Sequence, residues 1–294
     1  MSSTLGLASS SSAQQREREL VRWLESHASL LLGFSGGVDS AYLACVAIEA
    51  VGPERLLAVI GRSASYPAEQ WQMAREVAAR AGISVLEVDT HEMDDPRYVA
   101  NPTNRCYFCK TELWSVLERV RAARGIATII DGTNADDLSD HRPGRKAAAE
   151  QRVRSPLAEL GFTKNDIREL SRLRGIPTWS QPSSPCLSSR LPYGTPVTVP
   201  RLSAVERAER ALRELGVTGN LRVRHHGDTA RVEMDLAALE HWQGADRSAA
   251  LCEAVKRAGF ADVVIDPRGF RSGSLNVLAG VVPGRGDSAP LSGT

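Results

Sequence analysis

Short apolar runs alternate with longer amphipathic stretches in the first half of this 294-residue chain. Apolar runs of about four to eight residues predict buried strands, whereas apolar positions that repeat every three to four residues predict helices. The runs predict strands at 30–34, 56–60, 83–88 and 127–130. The stretches before and between them predict helices at 14–25, 41–50 and 67–81. This alternation predicts a parallel sheet covered on both faces, with ligand sites at the carboxyl ends of its strands.

Prolines are concentrated between Ile176 and Pro200, and this linker-like composition predicts a domain boundary. The segments beyond the boundary predict helices at 201–215 and 248–258, a hairpin formed by 221–225 and 229–234, and a strand at 262–265. Together they predict a small α+β unit.

Composition and charge place the chain among ordinary globular proteins, with 42% hydrophobic and 24% charged residues. The net formal charge of +1 does not favour nucleic acid as a partner, although a local basic patch stays open. No run approaches the roughly 20 apolar residues that cross a bilayer, and the Ser-rich start lacks the pattern of a secretion signal. Five cysteines without an export signal favour a reducing compartment, so we expect a cytoplasmic protein that uses cysteines for ligation or chemistry.

The segment Ser35-Gly36-Gly37-Val38-Asp39-Ser40 is a Gly-rich turn between the first predicted strand and its helix. Its backbone N–H groups lie at a helix N-terminus, which carries partial positive charge and binds phosphate. The paired glycines let an anion approach closely, and the serines add hydroxyl donors. The segment resembles the SGGxDS loop of the ATP pyrophosphatases and matches neither the Walker A loop nor the GxGxxG fingerprint. We therefore expect the phosphates of ATP to bind at Ser35, Gly36, Gly37, Asp39 and Ser40.

Three cysteines are spaced as ligands of one centre. Cys106 and Cys109 form a Cys-x-x-Cys pair at the start of a predicted helix, and Cys186 lies in the proline-rich junction. Structural zinc requires a fourth protein ligand that is not obviously placed, whereas three thiolates suit a [4Fe–4S] cluster with one open iron. A redox dithiol at the Cys-x-x-Cys pair and inert buried cysteines stay open as alternatives. Cys45 and Cys252 fall on apolar helix faces, where packing explains them.

Taken together, the loop and the three cysteines resemble the LarE family of ATP-dependent sulfurtransferases, a branch of the PP-loop ATP pyrophosphatase superfamily. These proteins make the thiocarboxylates of the nickel-pincer nucleotide that lactate racemase and related enzymes use. The resemblance extends over roughly residues 17–278. Besides the loop, its blocks are Asn104–Lys110, Asp131–Asp137, His141–Gly144, Ser155–Leu157, Cys186–Arg190, Arg222–His226 and Arg268–Ser274.

The resemblance implies a fold, a division into domains and an assembly. The implied fold class is α/β, a parallel-sheet PP-loop domain (Rossmann-like, of the adenine nucleotide alpha hydrolase type) with a smaller C-terminal α+β domain. The implied division is a disordered N-terminus at 1–15, the PP-loop domain at 16–180, a sulfur-transfer and substrate domain at 181–280 and a disordered tail at 281–294. A homo-oligomer is also implied, with a hexamer as one candidate.

The family has two chemistries. In one, a single cysteine at the position of Cys186 gives up its own sulfur and becomes dehydroalanine. In the other, that cysteine and a Cys-x-x-Cys pair hold a [4Fe–4S] cluster, whose open iron carries a sulfide that a sulfur donor replaces. Because this chain also has Cys106 and Cys109, the resemblance implies the cluster type.

The implied substrate is a small nucleotide, pyridinium-3,5-biscarboxylic acid mononucleotide, whose carboxylates are poor electrophiles. ATP would convert a carboxylate into an acyl-adenylate, while Mg²⁺ and the Ser35–Ser40 loop stabilise the departing pyrophosphate. Asp39 is expected to act through Mg²⁺ or to orient the loop, with helix capping as its alternative role. Asn134 and Asp136 are expected at the nucleotide, where Asp136 and Asp137 could contact Mg²⁺ or serve only as turn acids.

Arginines are expected to hold the anionic groups of the substrate, because the guanidinium fork matches both phosphate and carboxylate. We assign this role to Arg190, Arg222 and Arg224. The last two share one face of a predicted strand, and a solvated strand face is the alternative interpretation. Glu209 matches an acidic position of the family near the site and, with Arg190 and the three cysteines, completes the catalytic candidates. His225-His226 point to opposite faces and cannot readily share one metal ion.

Three other functions stay open. Enzymes that thiolate tRNA also combine an SGGxDS loop with three cysteines, and the stretches 142–146 and 201–213 could supply the basic surface that RNA requires. Ammonia-using synthetases share the loop but have no need of three cysteines. A nucleotide-binding or iron–sulfur carrier module without catalytic activity is the third alternative.

Overall fold

Four short apolar runs form the parallel sheet that the sequence predicts. The computed structural model describes residues 12–138, 143–182 and 184–271. Its first sheet contains β1 (Leu30–Gly33), β2 (Leu56–Arg62), β3 (Val85–Asp89) and β4 (Thr128–Ile130), in the order β3-β2-β1-β4 with every pair parallel. The central strand β1 is apolar throughout because both faces of the sheet are covered, as is typical of parallel sheets.

Helices cover the sheet on both sides. They are α1 (Ser12–Glu25), α2 (Val38–Val51), α3 (Ala68–Ala81), α4 (Pro96–Val99), α5 (Arg105–Arg124), α6 (Gly144–Glu150), α7 (Pro156–Glu159) and α8 (Lys164–Leu173). Leu30 and Leu32 pack against α1, α2 and α8, whereas Leu31 points the other way and packs with Trp114 and Leu117 of α5. Alternate residues of one strand thus bury two separate helix layers.

Several boundaries differ from the predicted ones. Helix α1 begins at Ser12, so residues 12–15, which we expected in a disordered N-terminus, are helical. Helix α2 begins at Val38 and not at residue 41, and this places Asp39 and Ser40 in its first turn. Pro67 stands at the N-cap of α3, one position before the helix. Residues 1–11, His141-Arg142 and everything after Arg271, including the predicted tail, lie outside the described residues.

A second, three-stranded sheet follows the proline-rich segment. Its strands are β5 (Leu221–His226), β6 (Thr229–Met234) and β7 (Asp262–Ile265), and its helices are α9 (Val199–Glu214), α10 (Leu236–Trp242) and α11 (Ala245–Arg257). Strands β5 and β6 form the predicted antiparallel hairpin, and β7 pairs with β6 in parallel. One face of this sheet packs on α9 and α11 around Val205, Leu212 and Val232.

The two sheets have separate cores, but the chain segments before α5 pack against the C-terminal core. Tyr98 of α4 is fully buried in that core, and its hydroxyl lies 2.6 Å from the Ser188 hydroxyl. The Asn101 side chain donates to the carbonyls of Pro192 and Thr195, each at 2.8 Å. The predicted α/β fold class is confirmed, whereas the division at residue 181 stays a prediction. No helix of the described segments is long and apolar enough to cross a membrane.

Candidate active site

The Ser35–Ser40 segment connects β1 to α2 and packs tightly against α3. Gly36 has a φ of +67°, and a Cβ atom added there would lie 2.5 Å from the Cβ of Ala74. Glycine is therefore the residue that fits, both by conformation and by space. The Ser35 carbonyl accepts hydrogen bonds from the Tyr66 hydroxyl and from Nε2 of Gln70, both at 2.9 Å. These contacts fix the turn to the segment after β2 and to α3.

The carboxylate of Asp39 is held by two side chains at this turn. Its Oδ2 lies 2.5 Å from Nζ of Lys164, and its Oδ1 accepts from Nδ2 of Asn134 at 3.3 Å. The hydroxyls of Ser35 and Ser40 lie 3.2 Å apart on the same turn. A lysine, a carboxylate and two hydroxyls at a helix N-terminus offer donors to a phosphate and an oxygen ligand to Mg²⁺.

The turn after β4 packs directly on the start of α2. A Cβ atom on Gly132 would lie 2.8 Å from the backbone nitrogen of Ser40, so a side chain at this position would separate the two turns. The Asp131 carboxylate holds the turn together, because it accepts from the Thr133 backbone at 3.1 Å and from the Ser155 hydroxyl at 2.7 Å. The two turns therefore meet at the carboxyl edge of the sheet.

The two candidate acids of this turn bind main-chain donors. Asp136 accepts from the backbone N–H of Lys164 at 2.8 Å, and Asp137 accepts from that of Asn134 at 3.3 Å. They fix the residues that hold Asp39, which agrees with the turn-acid interpretation. A contact of either acid with Mg²⁺ or nucleotide stays a prediction.

The predicted cysteine ligands come from two separate segments. Cys106 and Cys109 lie in the first turns of α5, and Cys186 immediately precedes the short 3₁₀ turn Leu187–Arg190. Cys106 is exposed at the surface, but the protein atoms packed around its thiol raise its pKa by desolvation, and the charge of Cys186 raises it further. Burial also raises the pKa of Cys109, with added contributions from the charges of Glu92 and Cys186. The three thiols therefore lie near enough to influence one another.

Main-chain contacts hold the Cys186 segment against the N-terminal domain. The backbone N–H of Leu187 donates to the carbonyl of Ser65 at 2.8 Å. Arg105, at the start of α5, donates to the carbonyl of Ser188 at 3.0 Å. Ser65 is adjacent to Tyr66, which donates to the Ser35 carbonyl. The segment after β2 therefore contacts both the Ser35–Ser40 loop and the Cys186 segment.

The raised pKa values of Cys106 and Cys109 bear on the redox-dithiol alternative. A reactive dithiol requires a thiolate stabilised near neutral pH, and these two thiols have pKa values above the ordinary range. A bound metal deprotonates its thiol ligands outright, so high intrinsic values do not oppose ligation. The raised pKa values therefore do not support a redox dithiol, and metal ligation stays a prediction.

The three cysteines suit a metal centre by the type of their ligand atoms and not by their positions. No three His, Cys, Asp or Glu side chains in the described part of the chain are grouped closely enough to hold a metal ion. The carboxylate of Glu92 nevertheless lies beside Cys109, 2% exposed, and its Oε1 accepts from the Ser65 hydroxyl at 3.1 Å. Its buried Oε2 has no hydrogen-bond partner among the described residues. The fit to an iron–sulfur cluster therefore rests on the three thiols, which are the ligand type that such a cluster takes.

Arg190 and Glu209, both catalytic candidates, form a bidentate ion pair. Nε and Nη2 of Arg190 each lie 2.9 Å from a Glu209 oxygen, and Arg190 is 2% exposed. Nη1 of Arg190 donates to the carbonyls of Pro185 and Cys186, at 2.5 and 3.1 Å. Oε1 of Glu209 also accepts from the backbone of Val223 at 2.9 Å. The pair therefore ties the Cys186 segment to α9 and β5.

Arg222 and Arg224 lie on the face of β5 opposite the core, as predicted, with Val223 pointing into the core. Both are nearly buried. Arg224 pairs with Glu233 at 2.8 Å and donates to the carbonyl of Ser189 at 3.0 Å. Burial and the nearby charge of Arg190 lower the pKa of Arg222 to about 10. Arg224 therefore contacts the Cys186 segment directly, and Arg222 lies close enough to Arg190 of that segment to feel its charge.

The structure brings most of the predicted residues into two neighbouring groups. One surrounds Asp39, and the other surrounds Cys186. Lys164 belongs to the first group through its contact with Asp39, but the sequence gives no indication of this role. It is one polar residue at the start of an amphipathic helix. His225 packs against the ring of Phe260 while His226 is exposed, so the two side chains have different surroundings.

Comparisons of the sequence with known proteins identify several relatives. The family model described as NAD synthase matches residues 17–102. The chain is 33% identical over 262 residues to the pyridinium-3,5-bisthiocarboxylic acid mononucleotide synthase of Lactiplantibacillus plantarum, covering 89% of this chain and 94% of that protein. It is 43% identical over 246 residues to an uncharacterized protein of Synechocystis sp., covering 84% of this chain and 91% of that protein. One component of the glutamine-hydrolyzing GMP synthase of Methanosphaerula palustris is 24% identical over 53% of this chain and 54% of its own length.

Proposed function

Because the chain belongs to the LarE family, that of the Lactiplantibacillus plantarum pyridinium-3,5-bisthiocarboxylic acid mononucleotide synthase, we propose that it is an ATP-dependent sulfurtransferase. The proposed reaction adenylates a carboxylate of pyridinium-3,5-biscarboxylic acid mononucleotide and replaces the adenylate with sulfur. Its products are a thiocarboxylate, AMP and pyrophosphate. ATP use has the support of the PP-loop family, whose model matches the segment that contains Ser35–Ser40.

One observation supports the proposal most strongly, namely the short connection between the nucleotide loop and the Cys186 segment. Ser65 accepts from the backbone of Leu187, and Tyr66 donates to the carbonyl of Ser35. A carboxylate activated at the loop would therefore form close to the sulfur that must replace its adenylate. Such proximity supplies much of the rate of a group transfer.

In the adenylation step, the loop residues hold the triphosphate of ATP. The backbone N–H groups of Gly37, Val38 and Asp39 start α2 and offer donors to the leaving pyrophosphate. Asp39 is the residue that would offer an oxygen ligand to Mg²⁺, and Lys164 would then exchange that carboxylate for a phosphate oxygen. Asn134 keeps Asp39 oriented through its 3.3 Å hydrogen bond.

In the sulfur-transfer step, the residues around Cys186 orient the acyl-adenylate. Cys106, Cys109 and Cys186 are the residues that would hold a [4Fe–4S] cluster, which supplies a transferable sulfide when bound. Arg222 and Arg224 bind the anionic groups of the substrate, and the Arg190–Glu209 pair holds the backbone of Cys186 in place. The sulfur donor, the homo-oligomer and the cytoplasmic location stay predictions.

The tRNA alternative has less support, because the arginines of α9 bind the protein itself. Arg201 donates to the carbonyl of Pro196 at 2.8 Å, Arg207 to that of Ala258 at 2.9 Å, and Arg213 to that of Val217 at 2.8 Å. Guanidinium groups that satisfy main-chain carbonyls are poorly placed to form a phosphate-binding surface.

The metal content of protein purified without oxygen tests the cluster. We expect about four irons and four acid-labile sulfides per chain. Each of Cys106→Ala, Cys109→Ala and Cys186→Ala should lose the iron, because each removes a ligand. Cys252→Ala is the matched control, since this half-buried cysteine lies on α11 and should leave the iron content unchanged.

Other outcomes of this experiment separate the remaining chemistries. Iron-free protein that loses about 34 Da at Cys186 after incubation with ATP and substrate would overturn the cluster and establish the sacrificial chemistry. Protein with neither iron nor this mass change would refute sulfur transfer. Iron that survives in the Cys186→Ala variant would remove that residue from the ligand set.

Lys164→Met is expected to raise the KM for ATP about 10- to 100-fold, which corresponds to the free energy of one hydrogen bond to a charged group. The lysine lies 2.5 Å from Asp39 and is the cation at the loop that can exchange a carboxylate for a phosphate. Steady-state release of pyrophosphate measures the effect. Lys146→Met, an exposed lysine of α6, is the control. An unchanged KM in the Lys164 variant would show that this lysine does not bind ATP.

A further inference from the structure

The C-terminal sheet has one apolar and one charged face. Val223, Val232 and Ile265 belong to the face that packs on α9 and α11. The opposite face, which we call the charged face, contains Arg222, Arg224, Arg231, Glu233, Val264 and Asp266. Arg224 and Arg231 stand directly opposite each other in the β5–β6 pairing. The charged face therefore continues from the Cys186 segment across all three strands.

Asp266, at the end of β7, gathers three arginines. Its Oδ2 lies 2.5 Å from Nη2 of Arg231 and 3.8 Å from Nη2 of Arg271. Its Oδ1 accepts from the backbone N–H of Arg268 at 3.0 Å and lies 3.3 Å from Nε of the same residue. The Asp266 side chain is fully buried. One carboxylate thus holds three guanidinium groups, and a surplus of positive charge remains at this end of the face.

The three arginines differ from those near Cys186 in their exposure. The side chains of Arg231, Arg268 and Arg271 are 26%, 59% and 48% exposed. Arg222 and Arg224, by contrast, are 5% and 6% exposed. A dissolved anion can therefore reach the Asp266 group directly. The carboxylate of Asp266 is itself kept ionised, because the hydrogen bonds from the N–H of Arg268 and the guanidinium of Arg231 outweigh burial and lower its pKa.

We propose that Arg231, Arg268 and Arg271 form the subsite for the phosphate of the mononucleotide substrate, with Asp266 as its positioning residue. This inference rests on the proposed function, which fixes the other end of the substrate at Cys186. Arg224 donates to the carbonyl of Ser189, so β5 marks the sulfur end of the face.

The span of the face matches a mononucleotide. Asp266 lies two strands away from β5, which is about 10 Å at the usual spacing of strands. A ring carboxylate at the sulfur end places the ribose phosphate at a comparable distance. Guanidinium forks bind phosphate oxygens in pairs, and the exposed edges of Arg268 and Arg271 offer such donors. Arg222 connects the two ends of the charged face, because its guanidinium lies 5.3 Å from the centre of the Phe270 ring. Phe270 stands between Arg268 and Arg271 in the sequence.

Equilibrium binding of two ligands tests the subsite. The ligands are pyridinium-3,5-biscarboxylic acid mononucleotide and its phosphate-free nucleoside, measured by calorimetry on the wild-type chain, Arg268→Gln and Arg271→Gln. The wild type should prefer the mononucleotide by about 10- to 100-fold, the value of one charge-assisted contact. Each variant should lose most of this preference while its affinity for the nucleoside is unchanged. The KM for ATP should not move, because the ATP phosphates bind at Ser35–Ser40.

Arg257→Gln is the matched control, since this exposed arginine of α11 pairs only weakly with Glu253, at 3.7 Å. It should leave the preference for the mononucleotide intact. A mononucleotide affinity that Arg268→Gln and Arg271→Gln both leave unchanged would overturn the subsite. So would an equal loss of nucleoside and mononucleotide affinity, which would indicate a general structural defect.

The same measurements distinguish failure of the proposed function from failure of the phosphate subsite. A wild-type chain that binds neither ligand, and releases no pyrophosphate with either, would refute the substrate. Inorganic phosphate then tests the arginines directly as an anion site. Weaker binding of inorganic phosphate by Arg268→Gln than by Arg257→Gln would retain the site without the substrate, and equal binding would refute both.

Discussion

Gly36→Ala is expected to reduce ATP-dependent release of pyrophosphate by more than about 100-fold, the loss that a 1 Å misplacement can cause. The reason is a conflict of both conformation and space. An alanine at a φ of +67° costs about 1–2 kcal/mol. Its Cβ would also lie 2.5 Å from the Cβ and 2.7 Å from the Cα of Ala74, so that the loop or α3 must move. Overpacking of this kind adds about 1–3 kcal/mol.

Gly52→Ala separates the two parts of this effect. Gly52 has a φ of +75° at the end of α2, and no described atom lies within 4 Å of the Cβ position. Its ψ of 171° lies in a region that glycine alone readily occupies, so the variant should lose about 1–3 kcal/mol of unfolding free energy and keep its rate of pyrophosphate release. Denaturant unfolding and a pyrophosphate assay on both variants measure the contrast. Equal rates for Gly36→Ala and the wild type would show that the turn does not position ATP.

The parts of the fold that the sequence predicts well depend on local pattern. The strands of the parallel sheet are short apolar runs, and all four are found within a few residues of their predicted ends. The Ser35–Ser40 turn is recognisable because glycine and helix-start residues have local reasons to stand there. Helix α10 is absent from the predicted elements, since only Leu239 and Trp242 of its seven residues are buried. So few apolar positions give no helical period.

The parts that could not be predicted depend on contacts distant in sequence. Lys164 reaches Asp39 across 125 positions, and nothing near either residue indicates the pairing. Arg190 and Arg224 lie near the Cys186 segment, but their carboxylate partners could not be read from the sequence. Which acid pairs with which arginine is decided by the way α9 and the second sheet pack. A sequence pattern therefore identifies the chemical groups of the site before it identifies their roles.

The Arg190–Glu209 pair illustrates that difference between a group and its role. The resemblance implies that both residues act on the substrate, whereas their contacts show that they hold the protein together. Arg190 directs its donors to Glu209 and to the carbonyls of Pro185 and Cys186. We infer that the pair positions Cys186, and that its loss affects stability as well as sulfur transfer.

Glu209→Ala is therefore expected to lower the free energy of unfolding by about 3–5 kcal/mol, the cost of leaving a buried charge without its partner. Arg190 is 2% exposed and cannot turn to solvent. The variant also removes the acceptor for the backbone N–H of Val223 in β5. Because the Arg190 guanidinium then no longer fixes the Cys186 carbonyl, Cys186 should react faster with iodoacetamide under native conditions.

Glu214→Ala, on the same helix, is the matched control for this second prediction. Its carboxylate is exposed and lies 3.8 Å from Arg210, so its loss should change stability by no more than about 0.5 kcal/mol. Urea unfolding of both variants gives the comparison, read from the midpoint at an unchanged slope. A Glu209 variant as stable as the control, with unaltered Cys186 reactivity, would mean that Arg190 finds other partners. The positioning role of the pair would then be wrong, and direct action of Arg190 on the substrate would again be the better explanation.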